Sequence, residues 1–306
     1  MKTLSRTVLT LFVLSFSCLA AIAGEVSFKI TRQYLNFPIS HKENRGRMTF
    51  EVNGKPDLSV VIRLAPDEAE YWVFKDVSAF KGKTIKITYD GNEKGLSKIY
   101  QSDEIEGQAE LYKEKNRPQF HFTTRRGWIN DPNGLIYYEG EYHLFYQHNP
   151  FERDWENMHW GHAVSRDLVH WTHLPIFLEP QLELHIDERI VGGAFSGSAV
   201  TVDAYDNPCK GDDAAAIRLY LTRHLETRGD ESSVTEYQTT CLCEDGVHAS
   251  VESPVALRVN DGFGFDFRDP KVETGMSGEA INPERAYMVT ATNLPVAEFA
   301  AGAVFF

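Results

Sequence analysis

From Phe120 onward, short strand-like runs recur in sets, and the preceding residues 25–115 carry no helix-length apolar period of 3.6 residues. The first set comprises Leu135–Tyr138, Tyr142–Gln147, Trp160–Ser165 and a short run ending at Trp171. The second comprises Phe195–Val202, Ile217–Leu225, Val234–Cys243 and Val251–Leu257. A third opens at Phe267 and continues with Arg285–Thr292. Four-stranded sets repeating about every 40 to 50 residues mark a β-propeller. Propeller blades place their first strands around one channel, so the starts of those strands converge. Asp131, Ser196 and Asp269 stand at those starts. A propeller closes with at least about four blades, and this chain ends at Phe306 inside its third set. The expected architecture is therefore an incomplete propeller in a fragment or truncated product.

The preceding part has a different character. Val26–Ile30, Arg47–Val52, Leu58–Leu64, Tyr71–Phe74 and Thr84–Tyr89 are short apolar or alternating runs. Asn53-Gly54, Lys81-Gly82 and Asp90-Gly91 supply turns between them. This reads as an N-terminal β-sandwich over residues 24–115. A charged linker over 103–118 joins it to the propeller at 120–306. Tyr71 and Trp72 are either core or a sugar-binding face. Overall the expectation is all-β.

Residues 1–23 read as an export signal. Lys2 and Arg6 begin it, Val8–Phe16 is mostly apolar, and Ala21-Ile22-Ala23 fits a small-x-small cleavage site before Gly24. Cys18 leaves a lipid anchor as the alternative. The apolar run is too short for a membrane span, and no other segment could form one. Net charge is −13, which argues against nucleic acid and anionic membranes as partners. Cys209, Cys241 and Cys243 form neither a zinc pattern nor a disulfide framework, and read as buried or idle thiols. Neither a metal nor a cofactor is expected, and the sequence leaves the oligomeric state open.

Chemistry concentrates in Arg126–His162. Asp131 precedes a proline, and Asn133-Gly134 follows with residues that tolerate positive φ, so Trp128–Gly134 reads as a turn. Taken alone, Asp-Pro-Asn-Gly is an ordinary turn. Its neighbours Trp128, Trp155 and Trp160, with Gln147, His148, His159 and His162, offer apolar faces edged by hydrogen-bonding groups, which suits a sugar ring.

Four motifs occur in order. They are Trp128-Ile129-Asn130-Asp131-Pro132-Asn133-Gly134; Phe145-Tyr146-Gln147-His148-Asn149-Pro150 with Trp155 and His159-Trp160-Gly161-His162-Ala163; Phe195-Ser196-Gly197-Ser198-Ala199; and Phe267-Arg268-Asp269-Pro270-Lys271. With them the chain resembles glycoside hydrolase family 32, the invertases, inulinases, levanases and other β-fructofuranosidases, over about residues 120–295. The resemblance implies a five-bladed propeller and a retaining hydrolase acting on fructan or sucrose without a metal or other cofactor. Asp131 would be the nucleophile and Asp269 the transition-state stabiliser. Asn130, Gln147, Trp155, Phe195, Ser196 and Arg268 would bind the fructosyl unit. Amide donors on Asn130 and Gln147 would support an ionised Asp131, and Arg268 would keep Asp269 charged. Nucleophile and acid stand about 5 to 5.5 Å apart in retaining enzymes.

The family's general acid is a glutamate in a Glu-Cys motif further along than Phe306 allows. Glu273, Glu279, Glu284 and Glu298 all lack the following cysteine. No general acid is therefore expected within these residues. The alternative to a hydrolase is a catalytically inactive truncated product or a fructan-binding module.

Overall fold

The computed structural model describes residues 24–185, 187, 189–256, 266–274, 286–292 and 302–305. The export signal, Cys18 and the stretches 257–265 and 275–285 lie outside the described residues. All regular structure of any length is β-strand, interrupted by short 3-10 turns.

Seven strands precede residue 103: β1 (Gly24–Lys29), β2 (Tyr34–Ile39), β3 (Gly46–Val52), β4 (Lys55–Ile62), β5 (Tyr71–Asp76), β6 (Thr84–Tyr89) and β7 (Tyr100–Ser102). They make two antiparallel sheets, ordered β1-β6-β3-β4 and β5-β2-β7. Both contribute to one apolar core, with Phe37 and Ile39 from β2 against Met48, Phe50, Ile85 and Ile87. Strand β2 carried no readable pattern. Its six residues are all buried and include Asn36 and Pro38, so the usual alternation of apolar and polar residues is missing. Asn36 is nevertheless satisfied, because its side chain donates to the Glu104 carbonyl and accepts from the Glu106 N–H. Tyr71 and Trp72 are half-buried, Tyr71 bonded to His41 and Trp72 edge-on to Tyr100. The stretch read as a linker is pinned: Arg117 bonds Glu114, Thr123 and the Thr124 carbonyl.

Three meander sheets follow. The first contains β8 (Trp128–Tyr138), β9 (Glu141–Asn149), β10 (His159–Ser165) and β11 (Trp171–His173). The second contains β12 (Ile190–Val202), β13 (Ala216–Thr227), β14 (Asp230–Cys243) and β15 (Ser253–Ala256). The third contains β16 (Phe267–Thr274), β17 (Ala286–Thr292) and β18 (Gly302–Phe305). Each sheet is hydrogen-bonded in sequence order, leaving β8, β12 and β16 on one edge of their respective sheets. Those edge strands pack beside one another, β12 between β8 and β16. This is the arrangement of a β-propeller.

Cores between the sheets fix that arrangement. Phe145, Trp160 and Phe177 of the first sheet region bury against Ile217, Leu219, Leu221 and Cys241 of the second. Val200 and Val202 then meet Val272 and Met288 of the third. Trp160 is fully buried, and so are His148, His159 and His162 apart from slight residual exposure. These four were expected beside a sugar and are interior instead, since β10 is buried along its whole length and β9 from His143 onward. Cys241 and Cys243 are buried and Cys209 is half-buried, all as free thiols. Burial pushes the Cys241 and Cys243 thiols up to about 12.

Candidate active site

Each meander departs from regular pairing near the start of its first strand. In β8 the register with β9 shifts between Ile129 and Pro132, so that Asn130 and Asp131 face Gln147 alone. In β12 it shifts between Ala194 and Gly197, so that Phe195 and Ser196 face Thr222. In β16 it shifts between Arg268 and Lys271, so that Asp269 and Pro270 face Thr290. Two residues against one is a β-bulge, which bends the strand and redirects its side chains. The stretch Trp128–Gly134, read as a turn, is thus the bulged start of an 11-residue strand. Pro132 lacks an N–H, and a bulge is one of the few places in a sheet where that is tolerated.

The three bulges open on one cavity of about 450 Å³. Asn130, Asp131, Gln147, Trp155, Phe195, Ser196, Arg268 and Asp269 all line it. The chain brings together, from three sheets, every residue nominated by its motifs.

Hydrogen bonding defines the site further. Ser196 Oγ donates to Asp131 Oδ2 at 2.8 Å. Of the expected amide donors, Gln147 Nε2 donates instead to the Ala194 carbonyl at 2.8 Å, while the Asn130 side chain is held through its Oδ1, which accepts from Trp128 Nε1 at 2.7 Å. Gln147 thereby ties the first bulge to the second, and Trp160 Nε1 adds a 2.9 Å bond to the Phe195 carbonyl. Asp269 has φ +59°, in the left-handed region. Its N–H donates to Thr222 Oγ1 at 3.0 Å. A non-glycine residue held there costs on the order of 1–3 kcal/mol, and such positions cluster at functional sites.

The electrostatics differ from expectation at Asp269. Its carboxyl is raised above the ordinary carboxylate range, chiefly by burial, with Arg268 opposing and the Asp131 charge adding. Arg268 does not grip it closely, the nearest approach being 3.9 Å. The guanidinium bonds Glu236 at 3.1 Å and also Asp266. Glu236 is fully buried. It also accepts from the Phe267 N–H and lies 2.9 Å from His224 Nδ1. His224 stacks flat on Phe195, centroids 4.2 Å apart and planes 3° apart, and Trp155 meets Phe195 edge-on at 5.9 Å.

His224, Glu226, Glu156 and Arg228 also line the cavity, and sequence reading missed all four. His224 and Glu226 lie in the mixed run Thr222–Thr227 of β13, outside any of the four motifs, so only the fold marks them. Of the glutamates considered as acids, Glu273 pairs with Lys271 at 3.1 Å, and Glu279, Glu284 and Glu298 lie outside the described residues. A group of possible metal donors, His41, Glu152 and Asp154, lies away from the cavity lining. Arg45 and Arg63 already occupy its carboxylates.

Residues 121–293 match the family model for the glycosyl hydrolases family 32 N-terminal domain. The chain belongs to glycosyl hydrolases family 32. A family 32 structure from Bifidobacterium adolescentis superposes with a TM-score of 0.62 at 50% identity, covering 90% of this chain and 46% of that one. Sucrose-6-phosphate hydrolase of Escherichia coli is 41% identical over 157 residues, 51% of this chain and 29% of its own length. The Bacillus subtilis levanase is 58% identical over 92 residues, 30% of this chain and 12% of its own. The chain therefore spans under half the length of these family 32 relatives. Among the described residues, no helix is long and apolar enough to cross a membrane.

Proposed function

We propose that these residues form the fructosyl-binding and nucleophilic part of a retaining hydrolase acting on levan, inulin or sucrose. The observation that carries this reading is the convergence of Asp131, Ser196 and Asp269 from three separate bulges on one cavity. Asp131 attacks the anomeric carbon as the glycosidic C–O bond breaks, giving a covalent fructosyl-enzyme ester, which water then opens. The Ser196 hydroxyl orients the attacking carboxylate. Asp269, held rigidly on its strained backbone, grips ring hydroxyls as positive charge develops. Phe195 and Trp155 offer apolar faces to the sugar's C–H surface.

The leaving oxygen needs a proton. Of the other two carboxylates lining the cavity, Glu156 is tied to Arg45 and Glu226 faces His224 Nε2 at 3.6 Å. The proton donor is therefore assigned outside the described residues. That same observation supports the second reading, a fructan-binding module without turnover.

Incubating the chain with levan, inulin and sucrose, and assaying both bound and released fructose, separates the two. Release that falls on the order of 10³-fold in Asp131→Asn supports the hydrolase. Binding without release leaves the binding module, and absence of both sinks the pocket reading.

The domain assignment belongs to the same proposal. Residues 24–115 form a β-sandwich module, supported by the core its two sheets share, and 120–306 form part of a five-bladed propeller. The leader at 1–23 directs export, in keeping with relatives such as the extracellular exo-inulinase of Aspergillus awamori. A mature product that does not begin at Gly24 would argue against that cleavage.

A further inference from the structure

The segment joining β9 to β10 brings Trp155 and Glu156 to the cavity, yet its packing partners are the N-terminal sheets. Phe151 is buried in their core, 5.9 Å from Phe37 and 6.2 Å from Phe50. The Asn157 side chain pairs with the β4 backbone as another strand would. It accepts from the Val61 N–H and donates to the Val61 carbonyl, both at 2.7 Å. The Arg153 N–H donates to the Tyr71 hydroxyl at 3.2 Å.

Between these anchors stand three carboxylates on alternate residues. Glu152 is fully buried, Asp154 is part-exposed, and Glu156 lines the cavity. Left to themselves they would repel one another and push the segment apart. Arg45, in the connection between β2 and β3, bonds all three: Glu152 at 3.3 Å, Asp154 at 3.3 Å and Glu156 at 3.0 Å. Arg63 shares Glu152 at 2.6 Å and Asp154 at 3.1 Å, but its ion pairs do not include Glu156. A planar guanidinium can engage several carboxylates at once in fixed directions, which an ammonium cannot. Trp155 lies between two of the gripped residues, so its position depends on theirs.

We infer that Arg45 is a positioning residue for the sugar pocket, holding Trp155 and Glu156 in place from the N-terminal module and thereby coupling that module to fructoside binding. The inference rests on the pocket reading above and is tested by two readouts, one of which needs no sugar. In Arg45→Met, amide hydrogen exchange over residues 152–157 should quicken roughly tenfold, while the β3–β4 hairpin and β9 keep their protection. Affinity for a fructo-oligosaccharide, measured by calorimetry, should fall by a similar factor, about tenfold. Arg45→Lys should recover part of both, and Arg32→Met, which breaks a surface pair with Asp103, should change neither. Unchanged exchange over 152–157 overturns the inference. Exchange that quickens equally everywhere also overturns it, since Arg45 would then act on global stability alone. Local quickening with undiminished affinity overturns the coupling. A wild-type chain that binds no fructoside sinks the pocket reading, and the exchange result then decides by itself whether Arg45 holds the segment.

Discussion

Asp131 and Asp269 are two carboxylates with different surroundings. Both are exposed, but Asp131 accepts a hydroxyl hydrogen bond, whereas Asp269 feels the Asp131 charge and stands beside Arg268. Removing that charge has a definite sign. Asp131→Asn should lower the Asp269 pKa toward the ordinary carboxylate value, because the like-charge contribution that raises it is gone. Carboxyl carbon NMR titration of the variant reads this directly, and a pKa that rises or stays fixed would contradict the assignment. The motif residues were legible because each motif is a contiguous string whose residue types carry its chemistry. Their hydrogen-bond partners were not. Nothing in the sequence says that Ser196 rather than Gln147 would reach Asp131, since that depends on how two bulges face each other.

At the scale of single elements, the bulges explain a glycine. Gly197 follows the Phe195-Ser196 pair, and a Cβ there would sit 1.9 Å from the Tyr220 carbonyl oxygen on the neighbouring strand. Backbone cannot yield as a flexible side chain would, so β12 and β13 would have to separate at that point. Gly197→Ala should destabilise the chain by about 2–3 kcal/mol, read as a shift in the urea midpoint with the slope unchanged. It should also weaken fructoside binding, because Ser196 moves with the strand. A stability change under about 0.5 kcal/mol, the range of an ordinary surface substitution, would mean the close approach is not real. Most strands were readable from alternating or apolar runs. Strand β2 escaped because its buried face includes a hydrogen-bonded Asn36, and tertiary burial rather than local pattern defines it.

For the whole molecule, buried imidazoles set the response to acid. Burial holds His148 at about 4, and His159 and His162 at about 3, against 6.5 for a free imidazole. The unfolded chain then binds more protons below pH 6.5, so stability should fall as pH drops from about 6.5 toward 4, and each such histidine can contribute on the order of 3 kcal/mol. Asp57, Glu152 and Asp269, raised by burial, act in the opposite direction near the carboxylate range. Melting temperatures recorded between pH 7 and 4 should therefore decline, and a flat profile would show that water reaches these rings. The histidines read from sequence as sugar ligands are thus interior groups: His148 on β9 and His159 and His162 on β10 are buried, while the pocket opens at the bulged starts of β8, β12 and β16. The contact between the N-terminal sheets and the Phe151–Asn157 segment was equally illegible, since ion pairs about 100 residues apart leave no local periodicity.

The bulged pairs have a further consequence. Each interrupts an otherwise strict ladder, where two residues share one partner and the pairing on either side carries the register of the strand. Such pairs can be exchanged for others without re-threading the sheet. In this architecture the scaffold and the chemistry are written in different letters of the same strand, which leaves the pocket open to revision one pair at a time.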